Sequence, residues 1–235
     1  MGDARYSFSL TTFSPDGKLL QIEHALKAVS NGVTCLGIQA TDGVVIATEK
    51  KMPSILVDED AVQRMANITD NIGVIYAGMA PDFRVLLRKS RKAAMKYHLT
   101  YKESIPVRMM VREIAAIMQE YTQQGGVRPF GISLLVAGFD DEGPQLFQVD
   151  PSGAYFGWRA SAIGANFTNA KQFLERRYVE DMETEDAVHT SLLTLREGFE
   201  GEMTSKNIEL GVITADRKFR VLKPEEVKDY LEESV

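Results

Sequence analysis

Few residues in this chain have the type and spacing that chemistry would require. The three histidines, His24, His98 and His189, fall in separate predicted helices, and no metal-ligand spacing relates them. Each reads as a surface or partly buried helix residue, and no metal site is expected. The single cysteine, Cys35, alternates with Thr34 and Leu36 in an apolar run and reads as a small packed hydrophobe. One cysteine excludes an intrachain disulfide and a multi-cysteine metal site, and it fits a reducing compartment. The run Arg88-Lys89-Ser90-Arg91-Lys92 could be a nuclear address or a nucleic-acid patch. On an amphipathic helix it is instead the solvated face, opposite Leu86, Leu87 and Ala94. Gly125-Gly126 is not followed by Gly-Lys-Ser/Thr, so it is no phosphate loop, and no cofactor is expected. Read one by one, these residues give no active site.

The elements that would position such residues can be followed along the sequence. Runs 33–40 and 43–49 flank Thr41-Asp42 and Gly43, a hairpin signal. After a looser stretch, 50–71, comes a strand at 72–77. Pro81-Asp82 opens a helix with Phe83, Leu86, Leu87, Ser90, Ala94 and Tyr97 on one face, running to about 101. Pro106 starts a second helix, which Gly125-Gly126 ends. The segment 131–138, GISLLVAG, is too apolar for a half-exposed strand and should be central, covered on both faces. Strands at 145–149 and 154–159 form a meander. Helices follow at about 165–178 and 184–200, the second capped by Thr184. Strands at 208–213 and 218–222 and a helix from Pro224 complete the chain.

Strands arrive in groups and helices in pairs, which is not βαβ alternation. The expected fold class is α+β: a four-layer αββα sandwich, with two stacked sheets and a helix pair on each outer side. At 235 residues, 44% hydrophobic and 26% charged, the chain should form one domain. Residues 1–32 would be a tail and leader, and 33–235 the core. The balance of 27 basic against 33 acidic residues, net charge −6, argues against a nucleic-acid partner. No apolar run is long enough to span a bilayer, and the N-terminus has no signal-peptide core, so no membrane partner is expected. Met1-Gly2 is not read as a myristoylation site, because Tyr6 stands where that motif needs a hydroxyl residue. The expected location is cytoplasm and nucleus.

The leader has two halves. From Tyr6 to Phe13 aromatic or apolar residues alternate with hydroxyls, as in an extended segment on a surface. Ser14-Pro15-Asp16-Gly17 is a turn, with Gly17 free to take the left-handed conformation. Leu19, Ile22, Ala25, Leu26 and Val29 then mark one apolar helix face, closed by Asn31-Gly32. So short a helix is marginal alone and must dock on something.

Phe13-Ser14-Pro15-Asp16-Gly17 followed by Leu19-x-Gln21-x-Glu23-x-Ala25 resembles the N-terminal signature of the α-type subunits of the proteasome core particle. The resemblance extends over the chain, through GVVIATEKK (43–51), IGVIYAGMAPDFRVL (72–86), MQEYTQQGGVRPFGISLL (118–135), DPSGAYF (150–156) and FLERRY (173–178). It implies the N-terminal nucleophile hydrolase type of αββα sandwich. In that family the catalytic β-type subunits use an N-terminal threonine tuned by an Asp and a Lys. Matched on the hairpin 43–49, Val33 takes the nucleophile position, Glu49 the Asp position, and Arg64 or Met65 the Lys position. Valine has neither hydroxyl nor thiol. Thr34, one residue on, could serve only if the whole leader were removed, so an autoprocessed threonine peptidase is the alternative reading.

The preferred expectation is a non-catalytic structural and gating subunit. The resemblance implies neighbouring α-type subunits in a seven-membered ring, β-type subunits in the adjacent ring, a regulatory ATPase particle or other activators, and unfolded protein substrates in transit. It also implies a regulator-tail pocket at Arg64 and Gly78, where relatives carry a lysine that meets a C-terminal carboxylate. For the open gate it implies Tyr6, Ser7, Pro15 and His24 at the positions of a Tyr-Asp-Pro-Tyr cluster, with Gly17 in the adjoining turn. Ser7 and His24 depart from that pattern.

Overall fold

A computed structural model describes residues 12–52, 54 and 56–233 of the chain. Tyr6 and Ser7, and with them most of the expected extended segment, lie outside the described residues. Helix α1 (Leu20–Ser30) leads into the hairpin β1 (Cys35–Gln39) and β2 (Gly43–Glu49). A single 3-10 turn, Glu59–Ala61, precedes β3 (Met65–Thr69) and β4 (Ile72–Gly78). Then come α2 (Ala80–Tyr101), α3 (Val107–Gln123), β5 (Ile132–Asp140), β6 (Gly143–Val149), β7 (Tyr155–Gly157) and β8 (Ala160–Ile163). The chain continues through α4 (Phe167–Arg177), α5 (Thr184–Glu197), β9 (Ile208–Thr214), β10 (Arg220–Val221) and α6 (Pro224–Glu233).

Two five-stranded sheets result, ordered β10-β9-β2-β1-β8 and β3-β4-β5-β6-β7. Their apolar runs are continuous because each sheet is covered twice. On one face of the hairpin, Cys35, Val44 and Ile46 meet Ile75, Ala77, Leu135, Ala137 and Leu146 of the facing sheet. On the other, Leu36, Ile38, Val45 and Ala47 meet Leu174, Val188, Leu192 and Leu195 of α4 and α5. The second sheet repeats this arrangement, with Val74, Tyr76, Leu134 and Val136 against Phe83, Leu86, Met110, Ile114 and Met118 of α2 and α3. Burial of each large apolar side chain among these is worth about 1.5–3 kcal/mol, which is what fixes the register of the central strands. The expected four-layer αββα sandwich is therefore the observed one, and β5 lies at the centre of its sheet.

Several local expectations are corrected. The stretch 50–71 contains β3, a short edge strand with a register shift between Asn67 and Thr69, in which only Met65 and Ile68 are buried. β8 was hidden in ASAI, whose small residues carry little pattern. It crosses from one sheet to the other and pairs with β1. The strand expected over 218–222 shortens to β10. Asn31 caps α1 in a right-handed conformation; its N–H donates to the Lys27 carbonyl and the Gly32 N–H to the Val29 carbonyl.

Thr184 does not cap α5. It lies inside the helix, and Glu183 occupies the cap position without a side-chain bond. The capping oxygen comes from Asp42 in the β1–β2 turn. Its Oδ1 accepts from the Thr184 N–H at 2.8 Å and from the Thr184 hydroxyl at 2.7 Å. A hairpin tip thus satisfies a helix terminus 142 residues away in sequence. Asp42→Ala is expected to lower the unfolding free energy by about 1 kcal/mol, measured by urea denaturation, with little change in the far-ultraviolet circular dichroism.

Candidate functional site

The chain meets itself at one end of the sandwich, where α1 ends and β1 begins. Gly32 lies so close to Gly78 that a Cβ on it would collide with the Gly78 backbone nitrogen. Gly78 itself, at φ +112°, ends β4 with its Cα facing the Gly131 carbonyl, which accepts from Met79 N–H at 3.0 Å. On the other side, Gly32 carbonyl accepts from Ala165 N–H at 2.8 Å, just beyond β8. Side chains larger than hydrogen would hold these segments apart. α1 can therefore lie down on β4 and β5, burying Ala25 and Val29, the latter in the inter-sheet core. The leader's apolar face is docked within its own chain, although Phe13 (64% exposed) and Leu26 (39%) remain outside.

The turn before it forms as expected, with Gly17 N–H donating to Ser14 carbonyl at 2.8 Å and Gly17 at φ +72°. Pro15, Gly17 and His24 are exposed. His98 is exposed, with Nδ1 3.1 Å from the Glu103 carbonyl. His189 lies beside Glu233 and edge-on to Tyr230. Among the described residues no group of side chains is arranged to hold a metal ion. Arg88, Lys89, Arg91 and Lys92 form the solvated face of α2, with Ser90 buried behind them.

Beneath the junction lie the residues matched to a catalytic centre. Val33 is partly buried against the inter-sheet core. Thr34 is buried, its hydroxyl donates to the Ala165 carbonyl at 2.8 Å, and its nitrogen is an ordinary peptide N–H. Its carbonyl accepts from Thr48 Oγ1 at 3.0 Å. Cys35 is fully buried, 3.2 Å from Thr48 Oγ1, and donates to the Tyr76 carbonyl at 3.1 Å. Burial, against the opposing field of Arg64, pushes its thiol up to about 11, so it is protonated and inert at neutral pH. Burial likewise raises the Glu49 pKa, with Lys51 Nζ at 3.9 Å in opposition. This centre holds hydroxyls, a thiol and a carboxylate, but no free amine and no poised nucleophile.

Arg64 is no loose surface charge. Its Nη1 donates to Tyr76 OH and its Nη2 to the Tyr76 carbonyl, both at 3.1 Å, and its Cζ lies 4.3 Å from the ring centre. Gly78 lies two residues further along the same strand. The Arg64 and Met65 N–H groups donate to the two carboxylate oxygens of Glu209 at 3.0 and 3.3 Å, and burial raises the Glu209 pKa. Neither Tyr76 nor Glu209 could be found by spacing. Glu209 comes from β9, 145 residues away.

An αββα sandwich with a valine just ahead of its first core strand, beneath a docked helix, is the N-terminal nucleophile hydrolase type of fold without its nucleophile. The chain belongs to the proteasome subunit family. The family model for proteasome subunits matches residues 29–213, and the model for the N-terminal signature of the A-type proteasome subunits matches residues 6–28. The chain is 67% identical to the proteasome alpha type-2 subunit of Oryza sativa subsp. japonica and 69% to the alpha type-2-A subunit of Arabidopsis thaliana, each over 233 residues and 99% of both chains. It is 57% identical to the alpha type-2 subunit of Drosophila melanogaster over 231 residues and 98% of both chains. It is thus a non-catalytic α-type subunit that assembles with other proteasome subunits, and the threonine-peptidase alternative is set aside.

The junction is fastened from below by Asp82, in the first turn of α2. Its carboxylate accepts from Arg128 Nη1 at 2.6 Å, Arg128 Nη2 at 2.9 Å and the Gly131 N–H at 2.9 Å. Burial pushes the Asp82 pKa up, but Arg128 and the Gly131 N–H outweigh it and hold it below the ordinary 3.8. A depressed carboxyl contributes stability in full above its unfolded-state pKa and loses it as pH falls through the folded value. Stability should therefore fall below about pH 4 in part through Asp82. Asp82→Asn is expected to flatten that acid limb while lowering stability at pH 7, read from urea midpoints across the pH range.

Proposed function

We propose that the chain is a structural and gating subunit in the α ring of the proteasome core particle. The observation that carries this reading is the leader helix, docked over Val33 by the Gly32–Gly78–Gly131 contact. The segment that a catalytic relative would shed is here part of the fold. Its remaining exposed apolar residues, Phe13 and Leu26, favour burial against neighbouring chains. In this reading the chain takes one place in a seven-membered ring of α-type subunits stacked on a β-type ring. It positions its neighbours, controls admission of unfolded substrates, and supports ATP- and ubiquitin-dependent protein degradation in cytoplasm and nucleus.

Arg64 and Gly78 form this chain's share of a pocket for the C-terminal carboxylate of a regulatory ATPase or other activator. The guanidinium supplies the charge and can form a two-point fork. Pro15, Gly17 and His24 sit on the exposed side of the leader, where with Tyr6 and Ser7 they would join the gate.

The test is to isolate the complex through a C-terminal tag on this chain and to record native and denatured masses. A large particle containing other members of the family, with this chain carrying its uncleaved leader, is the expected result. A chain that runs alone, or that begins at Thr34, would overturn the reading.

A further inference from the structure

We infer that Tyr76 is a latch on Arg64: in the free chain it holds the guanidinium against β4, and a carboxylate captured at Arg64 must first displace it. The inference rests on the reading of Arg64 as a carboxylate acceptor. It adds what controls that acceptor.

The backbone of Arg64 is fixed, since Glu209 binds its N–H and that of Met65. Only the side chain is free to turn. Tyr76 is fixed too, with its ring buried and stacked on Phe83 at 4.2 Å and 18°. Between these anchors the guanidinium is bound twice by one residue, through the Tyr76 hydroxyl and the Tyr76 carbonyl. Its Nε is buried and finds no acceptor among the described residues.

Arginine holds a carboxylate best through two parallel N–H···O bonds. The fork made by Nε and one Nη is closed here, because Nε faces the interior. Each nitrogen of the other fork already spends one of its two N–H groups on Tyr76, so Tyr76 and not a carboxylate sets how that fork is aimed. To offer a free fork the side chain must turn away, losing two bonds to Tyr76 and releasing an N–H whose burial without a partner is costly. The two bonds outweigh that relief, and the held state is in excess by roughly tenfold. The apparent affinity for a carboxylate is then reduced by the fraction of chains held. A lysine ammonium is a single point charge and cannot span Tyr76 at two places, so the latch belongs to arginine at this position.

The test uses assembled core particles carrying Tyr76→Phe, Arg64→Ala or Arg64→Lys in this chain. The probe is a short peptide with a photo-crosslinking residue and a free C-terminal carboxylate, compared with its C-terminally amidated twin. The readout is half-saturation of crosslinking to this chain. Tyr76→Phe keeps the ring and its stacking but removes one acceptor, and should tighten carboxylate binding roughly three- to tenfold. Arg64→Ala should abolish the preference for carboxylate over amide. In the Arg64→Lys background, Tyr76→Phe should have no effect. If Tyr76→Phe leaves affinity unchanged or weakens it while Arg64→Ala abolishes the preference, the latch is wrong and Arg64 stands as the acceptor. If the preference survives Arg64→Ala, the acceptor reading fails and the latch falls with it.

Discussion

The rest of the structure depends on one close approach, the passage of Gly32 against Gly78, with Gly131 directly behind. Gly32 presses on the Gly78 backbone and Gly78 on the Gly131 carbonyl, so a Cβ on either of the first two would force the segments apart. That contact sets where α1 lies, and α1 then covers the end of the inter-sheet core with Val29. Asp82 and Arg128 brace the same place from the α2 side, through the Gly131 N–H. Helix α1 is consequently anchored in the end of the sandwich through Ala25 and Val29.

This arrangement accounts for the absence of catalysis without a missing loop or a broken sheet. The strand, the hairpin and the buried carboxylate of a catalytic centre all exist around Thr34, Cys35 and Glu49. What differs is their commitment. The Thr34 hydroxyl is bonded to Ala165, the thiol is desolvated and protonated, and the backbone nitrogen at that end is an amide in a continuous chain. Arg64, which falls at the lysine position, bridges the hydroxyl and carbonyl of Tyr76. The polar groups at these positions are committed to holding the fold together.

Much of this was legible in the sequence. The doubly covered sheets were visible in the unbroken apolar runs 43–49 and 131–138, and the paired helices in their spacing. Pro81 and Pro106 marked the helix starts, and the Ser14–Gly17 turn formed as its residues required. What was hidden fell into two kinds. β3 and β8 are short, and small or half-exposed residues give them little periodicity. Long-range polar contacts leave no local trace: Asp42 as the cap of α5, Glu209 beneath Arg64, and Asp82 beneath Gly131. Gly32 is a related case: the sequence marks it as part of a helix end, and only its neighbour in space, Gly78, shows why a side chain is excluded there.

The most direct test of the account is the unfolding stability of the chain when it begins at Val33, compared with the whole chain under the same conditions. If α1 is a structural part of the sandwich, removing it exposes Val29's site and the end of the inter-sheet core. The shortened chain should then unfold at clearly lower urea concentration, or fail to fold. An unchanged midpoint would mean that the leader is a detachable appendage, and the account of the junction would be contradicted.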